Sequence, residues 1–240
     1  MTSAAAGNQR RCALVVGGGR GLGRAIALQL AADGCAVAVA ARTQSEIEQV
    51  AGEIAARGGH AAAIQADATR PGDVAALVRR VLAEFGRIDV LVNCAGEALI
   101  RPTLDNTVDD FQRIVASNLT SVFLTCHAVM GQMMQQRSGH IVNISSKVGR
   151  DGAPNVAAYT AAKAGVIGFS KALGLELKPH NVKVSVICPS PMDTKMRWDA
   201  TPDFERAKTI QPASIAKLVA SIVADPDLLV DEVYPASVRL

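Results

Sequence analysis

Aromatic side chains make up only 3% of this 240-residue chain, although 49% of its residues are hydrophobic. Any sizeable core must therefore come from Ala, Val, Ile and Leu, which suits a parallel sheet buried between helices. A surplus of one charge is missing too. The 25 basic residues stand against 22 acidic ones, a net of +3, and Arg10-Arg11 and Arg79-Arg80 are the only adjacent basic pairs. That balance argues against a nucleic-acid or membrane-surface partner. The five cysteines are odd in number and lack C-x-x-C spacing, which favours reduced thiols in the cytoplasm over a disulfide framework. Four scattered histidines show no metal-ligand spacing, so no metal is expected. No unbroken apolar run reaches the ~18 residues of a membrane-spanning helix. The opening "MTSAAAGNQRRC" lacks the apolar centre of a secretory signal, and residues 1–10 read as a flexible lead-in.

What is present is alternation. The runs "CALVV" (12–16), "CAVAVAA" (35–41), "AAAIQAD" (61–67), "IDVLVN" (88–93), "HIVNIS" (140–145) and "VKVSVIC" (182–188) read as buried strands. Amphipathic stretches such as "LGRAIALQLAAD", "SEIEQVAGEIAAR" and "GDVAALVRRVLAEF" separate the earlier ones. Strands alternating with helices predict βαβ crossovers and one doubly wound α/β domain, a parallel sheet with helices on both faces. Thr107 followed by Asp110 predicts a capped helix start. The stretch 189–212 is polar, carries several prolines and holds the single tryptophan, Trp198; it reads as a substrate lid.

"GGGRGLG" (17–23) falls directly between the first strand and the first helix, the setting of a Rossmann dinucleotide loop. Its glycines let backbone approach a pyrophosphate, and the helix N-terminus favours the negative charge. The spacing of Gly17, Gly21 and Gly23 is G-x-x-x-G-x-G. Enzymes using NAD carry an acid about 20 positions on, where it accepts from the ribose 2′-hydroxyl. The window Ala36–Gln44 holds no Asp or Glu; it holds Arg42, and Arg20 lies in the glycine loop. Two guanidinium groups there suit a 2′-phosphate, favouring NADP(H) over NAD(H).

Tyr159 and Lys163 stand four apart in "AYTAAKAG" (158–165), on one face of a helix. An ammonium beside a phenol, whose pKa is ordinarily about 10, favours the phenolate. With these residues the chain resembles the short-chain dehydrogenase/reductase family over residues 11–224. "VGGGRGLG" is similar to that family's T-G-x-x-x-G-x-G loop, with Val16 in place of threonine. "NCAG" (93–96) is similar to its N-N-A-G, "SNLTSVF" (117–123) carries the helix asparagine, and "IVNISS" with "YTAAK" is similar to its serine strand and Y-x-x-x-K.

The resemblance implies a catalytic set. Tyr159 would protonate the carbonyl oxygen, Lys163 would hold the nicotinamide ribose and depress the tyrosine pKa, and Asn118 would hold a relay water. Ser145 and Ser146 could each hydrogen-bond the carbonyl; the family's spacing of about thirteen residues selects Ser146. The cofactor contacts implied are Gly17, Gly19, Arg20, Gly21, Leu22 and Gly23 in the loop, then Arg42. Further contacts are Asp67 and Ala68 at the adenine, Asn93, Ala95 and Gly96 after the fourth strand, and Pro189 and Thr194 after the sixth. Asp67 has a plainer reading as a turn or capping residue.

"CPSPMDTKM" departs from the family's P-G turn at Ser190 and Pro191, and "LLVDEVYPASVRL" lacks the usual terminal glycine pair. A homodimer is thus better supported than a homotetramer. "NLTSVF", Arg137 and the short lid resemble the 3-oxoacyl-(acyl-carrier-protein) reductases, implying NADPH-dependent reduction of a ketone such as a 3-oxoacyl thioester. Two alternatives compete: NAD(P)-dependent oxidation of a secondary alcohol, sugar or steroid, and an NADP-binding protein without turnover.

Overall fold

The computed structural model describes residues 10–225 and 232–233. Seven parallel strands form a single sheet in the order β3-β2-β1-β4-β5-β6-β7. In chain order the first half runs β1 (Cys12–Val16), α1 (Gly21–Ala32), β2 (Ala36–Ala41), α2 (Gln44–Ala56), β3 (His60–Gln65), α3 (Pro71–Phe85) and β4 (Val90–Asn93). The second half runs α4 (Val108–Val115), α5 (Ser121–Gln136), β5 (Gly139–Ile144), α6 (Lys147–Asp151), α7 (Ala157–Leu177), β6 (Val182–Ile187), α8 (Lys195–Ala200), α9 (Pro212–Ala224) and β7 (Glu232–Val233). Each strand read from the sequence is found, shifted by at most two residues at its start or end. The remainder of the C-terminal stretch, on which the dimer-over-tetramer expectation rested, lies outside the described residues.

Both faces of the sheet are buried because successive side chains along β1 point to opposite sides. Cys12, Leu14 and Val16 join Leu77 of α3, Met133 of α5 and Leu177 of α7 on one side. Ala13 and Val15 join Ile26 of α1, Val50 of α2 and Val219 of α9 on the other. Each Leu, Ile or Val fully buried in this way stabilises the fold by about 1.5–3 kcal/mol.

Polar groups inside these layers are paired. Asn93 Nδ2 donates to Asn143 Oδ1 (2.9 Å), Asn143 Nδ2 donates to Ser170 Oγ (2.9 Å), and Thr125 Oγ1 donates to Asn93 Oδ1 (2.7 Å). His140 meets Ser185 Oγ at 2.9 Å. Burial pulls its imidazole down to about 4, helped by the charges of Lys183 and Arg11. Because the unfolded chain takes up this proton at higher pH, the neutral histidine's contribution is complete above about 6.5. It is lost as pH falls toward 4, on the order of 3 kcal/mol. Urea unfolding across that window is expected to show the loss in the native protein and a flatter profile in His140→Gln. Equal profiles would contradict it.

One continuous helical stretch, Val108–Gln136, is long and apolar enough by length and composition alone to cross a bilayer. Here its α5 portion packs Val122, Cys126, Val129 and Met133 into the core. At Thr107 the expected cap is complete: its hydroxyl accepts from Asp110 N (3.0 Å), and Asp110 Oδ2 accepts from Thr107 N (3.2 Å).

Candidate active site

The strand order reverses between β1 and β4, and a cleft opens beyond the carboxyl ends of those strands. In a doubly wound sheet this is where ligands bind. The glycine loop after β1 forms one wall. Gly17 has φ +81° and Gly21 has φ +55°, conformations that side chains other than glycine rarely take. A Cβ on Gly17 would lie 2.5 Å from the Ala95 backbone N, and one on Gly23 would collide with the Gly17 carbonyl oxygen. Backbone therefore lies bare at the start of α1, which fits a dinucleotide's pyrophosphate at the helix N-terminus.

Leu22, Ala68, Ala95 and Gly96, with Gly17, Gly19, Gly21 and Gly23, line the cleft as the family resemblance implied. At its nucleotide end stand Arg20, Arg42 and Asp67. Burial raises the Asp67 carboxyl, but hydrogen bonds from the Thr69 hydroxyl and amide, with the charges of Arg42 and Arg70, outweigh it and hold it low. Asp67 is thus a turn-forming residue and a cleft residue at once. Two placements differ from expectation. Asn93 is spent in the buried network beneath the cleft and does not line it, because its side chain turns toward α5 and β5, where Thr125 and Asn143 take its amide. Pro189 is buried, and its carbonyl accepts from Lys147 N at 2.9 Å.

An acid from beyond the window Ala36–Gln44 also reaches the nucleotide end. Glu46, in the first turn of α2, lines the cleft with Oε1 3.5 Å from Arg20 Nη1. A search confined to the end of β2 passes over it, since the acid enters from the following helix.

At the other end, α7 brings Tyr159 and Lys163 onto one face. Lys163 Nζ donates to the Ile144 carbonyl (2.8 Å) and lies 5.7 Å from the Tyr159 ring centroid. Burial pulls the Lys163 ammonium down to about 8. Burial also pushes the Tyr159 phenol up to about 12, against a Ser146 hydrogen bond and the Arg197 charge, which pull it down. The expected depression of the tyrosine by Lys163 is therefore not what the structure holds: desolvation dominates, and the cation acting on the phenol is Arg197.

The two serines separate cleanly. Ser145 Oγ is buried and donates to the Lys163 carbonyl (2.8 Å), while Ser146, half-buried at the start of α6, draws the Tyr159 phenol down.

Asn118 sits in a single π-turn, Ala116–Thr120, inserted between α4 and α5; such turns re-aim side chains at functional sites. Its Nδ2 donates to the carbonyls of Glu97 (2.9 Å) and Ile114 (3.0 Å). Its buried Oδ1 has no partner among the described residues. A Cβ on Gly96 would strike that oxygen and lie 3.7 Å from Lys163 Nζ, so Asn118 and Lys163 border the same small space. The orphan acceptor suits a bound water there.

The segment 189–212 closes over this end. Asp193 N donates to the Ile210 carbonyl (3.0 Å) and Ile210 N to the Pro191 carbonyl (2.8 Å), so the segment leaves and returns through one short stem. Met192, Thr194, Lys195 and Met196 line the cleft from this side. Thr194 Cγ2 packs 3.6 Å from where a Gly21 side chain would begin. Among the described residues no group of His, Cys, Asp or Glu is arranged to hold a metal ion, and none of the five cysteines is in a disulfide.

A glycine-cradled cleft at the switch point, ending on a Tyr-Ser pair beside a buried lysine, defines a nicotinamide-dependent oxidoreductase. Residues 11–205 match the short chain dehydrogenase family, and the chain belongs to it. It is 40% identical to a 3-oxoacyl-(acyl-carrier-protein) reductase of Synechocystis sp. over 220 residues, covering 89% of each chain. Identity to the corresponding Staphylococcus aureus (strain Mu50) reductase is 37%, covering 90% of this chain and 91% of that one. The crystal structure of actinorhodin polyketide ketoreductase with NADPH superposes with a TM-score of 0.87 at 29% identity, covering 94% and 95%.

Proposed function

We propose that the protein reduces a ketone to a secondary alcohol with NADPH, a 3-oxoacyl thioester being the substrate to try first. The observation that carries this is Tyr159 at the end of the glycine-lined cleft with Lys163 beside it, its Nζ 5.7 Å from the tyrosine ring centroid. The bound cofactor would supply hydride to the carbonyl carbon. Tyr159 gives its proton to the carbonyl oxygen as negative charge develops there, and Ser146 holds that oxygen in line. Lys163, already partly desolvated, is the nearest source from which Tyr159 regains a proton, with the orphan Asn118 Oδ1 ordering the water behind it. Residues 189–212 act as the lid that excludes solvent from this step.

Arg20 and Arg42 support NADPH through the 2′-phosphate. Glu46 favours a second reading in which NADH is also accepted, because its carboxylate opposes a phosphate at that place and can take a ribose hydroxyl. NADPH and NADH consumption with the N-acetylcysteamine thioester of 3-oxobutanoate separates these. Turnover faster with NADPH, and a preference raised about fivefold further in Glu46→Gln, is expected. Faster turnover with NADH, or no turnover across a ketone panel, overturns the assignment.

We read the setting as cytoplasmic, where five cysteines outside any disulfide are the usual case. The state we expect is a homo-oligomer, with exposed Phe123 on α5 stacked edge-on to Phe169 on α7 (6.1 Å) as part of the contact face.

A further inference from the structure

Two carboxylates of the lid are spent on near neighbours in sequence. Asp199 pairs with Lys195 one turn away in α8 (2.6 Å), and Glu205 pairs with Lys208 three residues on (2.8 Å). Both pairs are well exposed, and pairs of that kind contribute little.

Asp193 differs, because its carboxylate collects groups from three separate stretches. Oδ1 accepts from Trp198 Nε1 in α8 (2.7 Å) and lies 3.8 Å from Arg206 Nη1 on the returning arm of the lid. Oδ2 accepts from Gln211 Nε2 at the start of α9 (3.2 Å). The Arg206 guanidinium also lies over the Trp198 ring at 4.5 Å, so carboxylate, indole and guanidinium each meet the other two. The Asp193 side chain is only 26% exposed, and hydrogen bonds to a charged acceptor of that kind are stronger than those between neutral groups.

The place of this cluster gives it a consequence for the site. Met192, Thr194, Lys195 and Met196 line the cleft, whereas Asp193, Trp198, Arg206 and Gln211 do not. Asp193 therefore stands behind the cleft wall, between residues that form its face. Thr194 shows how closely the two are joined. Its methyl packs against the glycine loop at Gly21, and its hydroxyl accepts from Arg197 N (3.4 Å) to cap α8. A carboxylate that ties the outgoing arm to the returning one sets how far these side chains reach into the cleft.

We propose that Asp193 is a positioning residue: its carboxylate latches the two arms of the lid together and so holds Met192, Thr194 and Met196 against the cleft. This rests on the reading of residues 189–212 as the lid of a reductase, and it names the residue that keeps that lid in place.

Trp198 is the single tryptophan, so its emission reports on this cluster. In the unliganded protein, Asp193→Ala is expected to raise the acrylamide quenching constant of Trp198 about threefold. By calorimetric titration it is expected to weaken NADP about tenfold, because the closed lid becomes a minor part of the population. Asp193→Asn keeps one acceptor for the indole N–H and is expected to fall between. Trp198→Phe removes that N–H and keeps an aromatic ring; it is expected to weaken NADP as well. The double variant is expected to bind NADP no worse than Asp193→Ala alone, since both changes break one latch. With a ketone that the native protein reduces, KM for Asp193→Ala is expected to rise about tenfold with kcat within about twofold, as saturating ligand draws the lid shut.

Native quenching together with native NADP affinity in Asp193→Ala overturns the proposal. So does a fall in kcat at unchanged KM, which would mean lost active protein or a part in the chemistry itself. Should Asp193→Ala fail to fold, Asp193→Asn and Trp198→Phe carry the same titration, and native NADP affinity in both overturns it. If the native protein reduces no ketone, quenching and NADP binding still decide the latch, and only the reductase assignment falls.

Discussion

Tyr159→Phe is expected to lower ketone reduction by about 10³-fold while leaving nucleotide binding and the folded state intact. The phenyl ring keeps the volume that α7 packs with; only the hydroxyl that Ser146 engages is lost. The Tyr159 phenol lies high, at about 12, because burial outweighs the Ser146 and Arg197 contributions. In the direction of reduction that suits a proton donor, which must stay protonated until charge appears on the carbonyl oxygen. The check is single-turnover reduction by native and variant protein at equal cofactor saturation. Residual activity within about tenfold of native would mean that another group donates the proton.

The second large effect concerns the cofactor cradle. Gly23→Ala would drive a Cβ into the Gly17 carbonyl oxygen, and the neighbouring atoms are backbone, which cannot swing aside as a side chain would. Loss of nucleotide binding is expected, with a fall in unfolding free energy of about 3 kcal/mol, at the upper end for overpacking. Gly52→Ala is the opposite case. It lies exposed within α2 with nothing within 4 Å of an added Cβ, so alanine is expected to stabilise by about 1 kcal/mol through helix propensity. Denaturant unfolding with nucleotide titration checks both. If Gly23→Ala binds NADP normally, the tight approach of α1 to the loop is not what forms the pyrophosphate site.

The strands were legible because a parallel sheet covered on both faces leaves each strand as a nearly unbroken apolar run, as "CALVV" and "VKVSVIC" show. The glycine loop was legible because its place between a strand and a helix is itself a sequence property. The Tyr159–Lys163 pair follows from helical spacing. The spacing carried over from the family favoured Ser146; of the alternative, the structure shows that the Ser145 hydroxyl is committed to the Lys163 carbonyl.

Other features had no local signal. Asn93 sits in a cofactor motif by sequence, yet its amide is committed to Asn143 and Thr125 across the sheet, a pairing set by strand order and by the packing of α5. Glu46 belongs by sequence to the polar face of an ordinary amphipathic helix; the angle at which α2 leaves β2 brings it to Arg20. The π-turn that aims Asn118 inward depends on the continuity of α4 into α5.

By itself, then, the sequence determined the doubly wound sheet, the nucleotide loop and the identities of the residues at the chemical end, because periodicity and short-range spacing express them directly. The tertiary structure alone decided which charges meet. It paired Glu46 with Arg20, buried Lys163 beside a half-buried Tyr159, and folded the lid so that Met192, Thr194, Lys195 and Met196 line the cleft. Burial and charge contacts between segments distant in the chain arise only when the chain closes on itself. No local pattern records them.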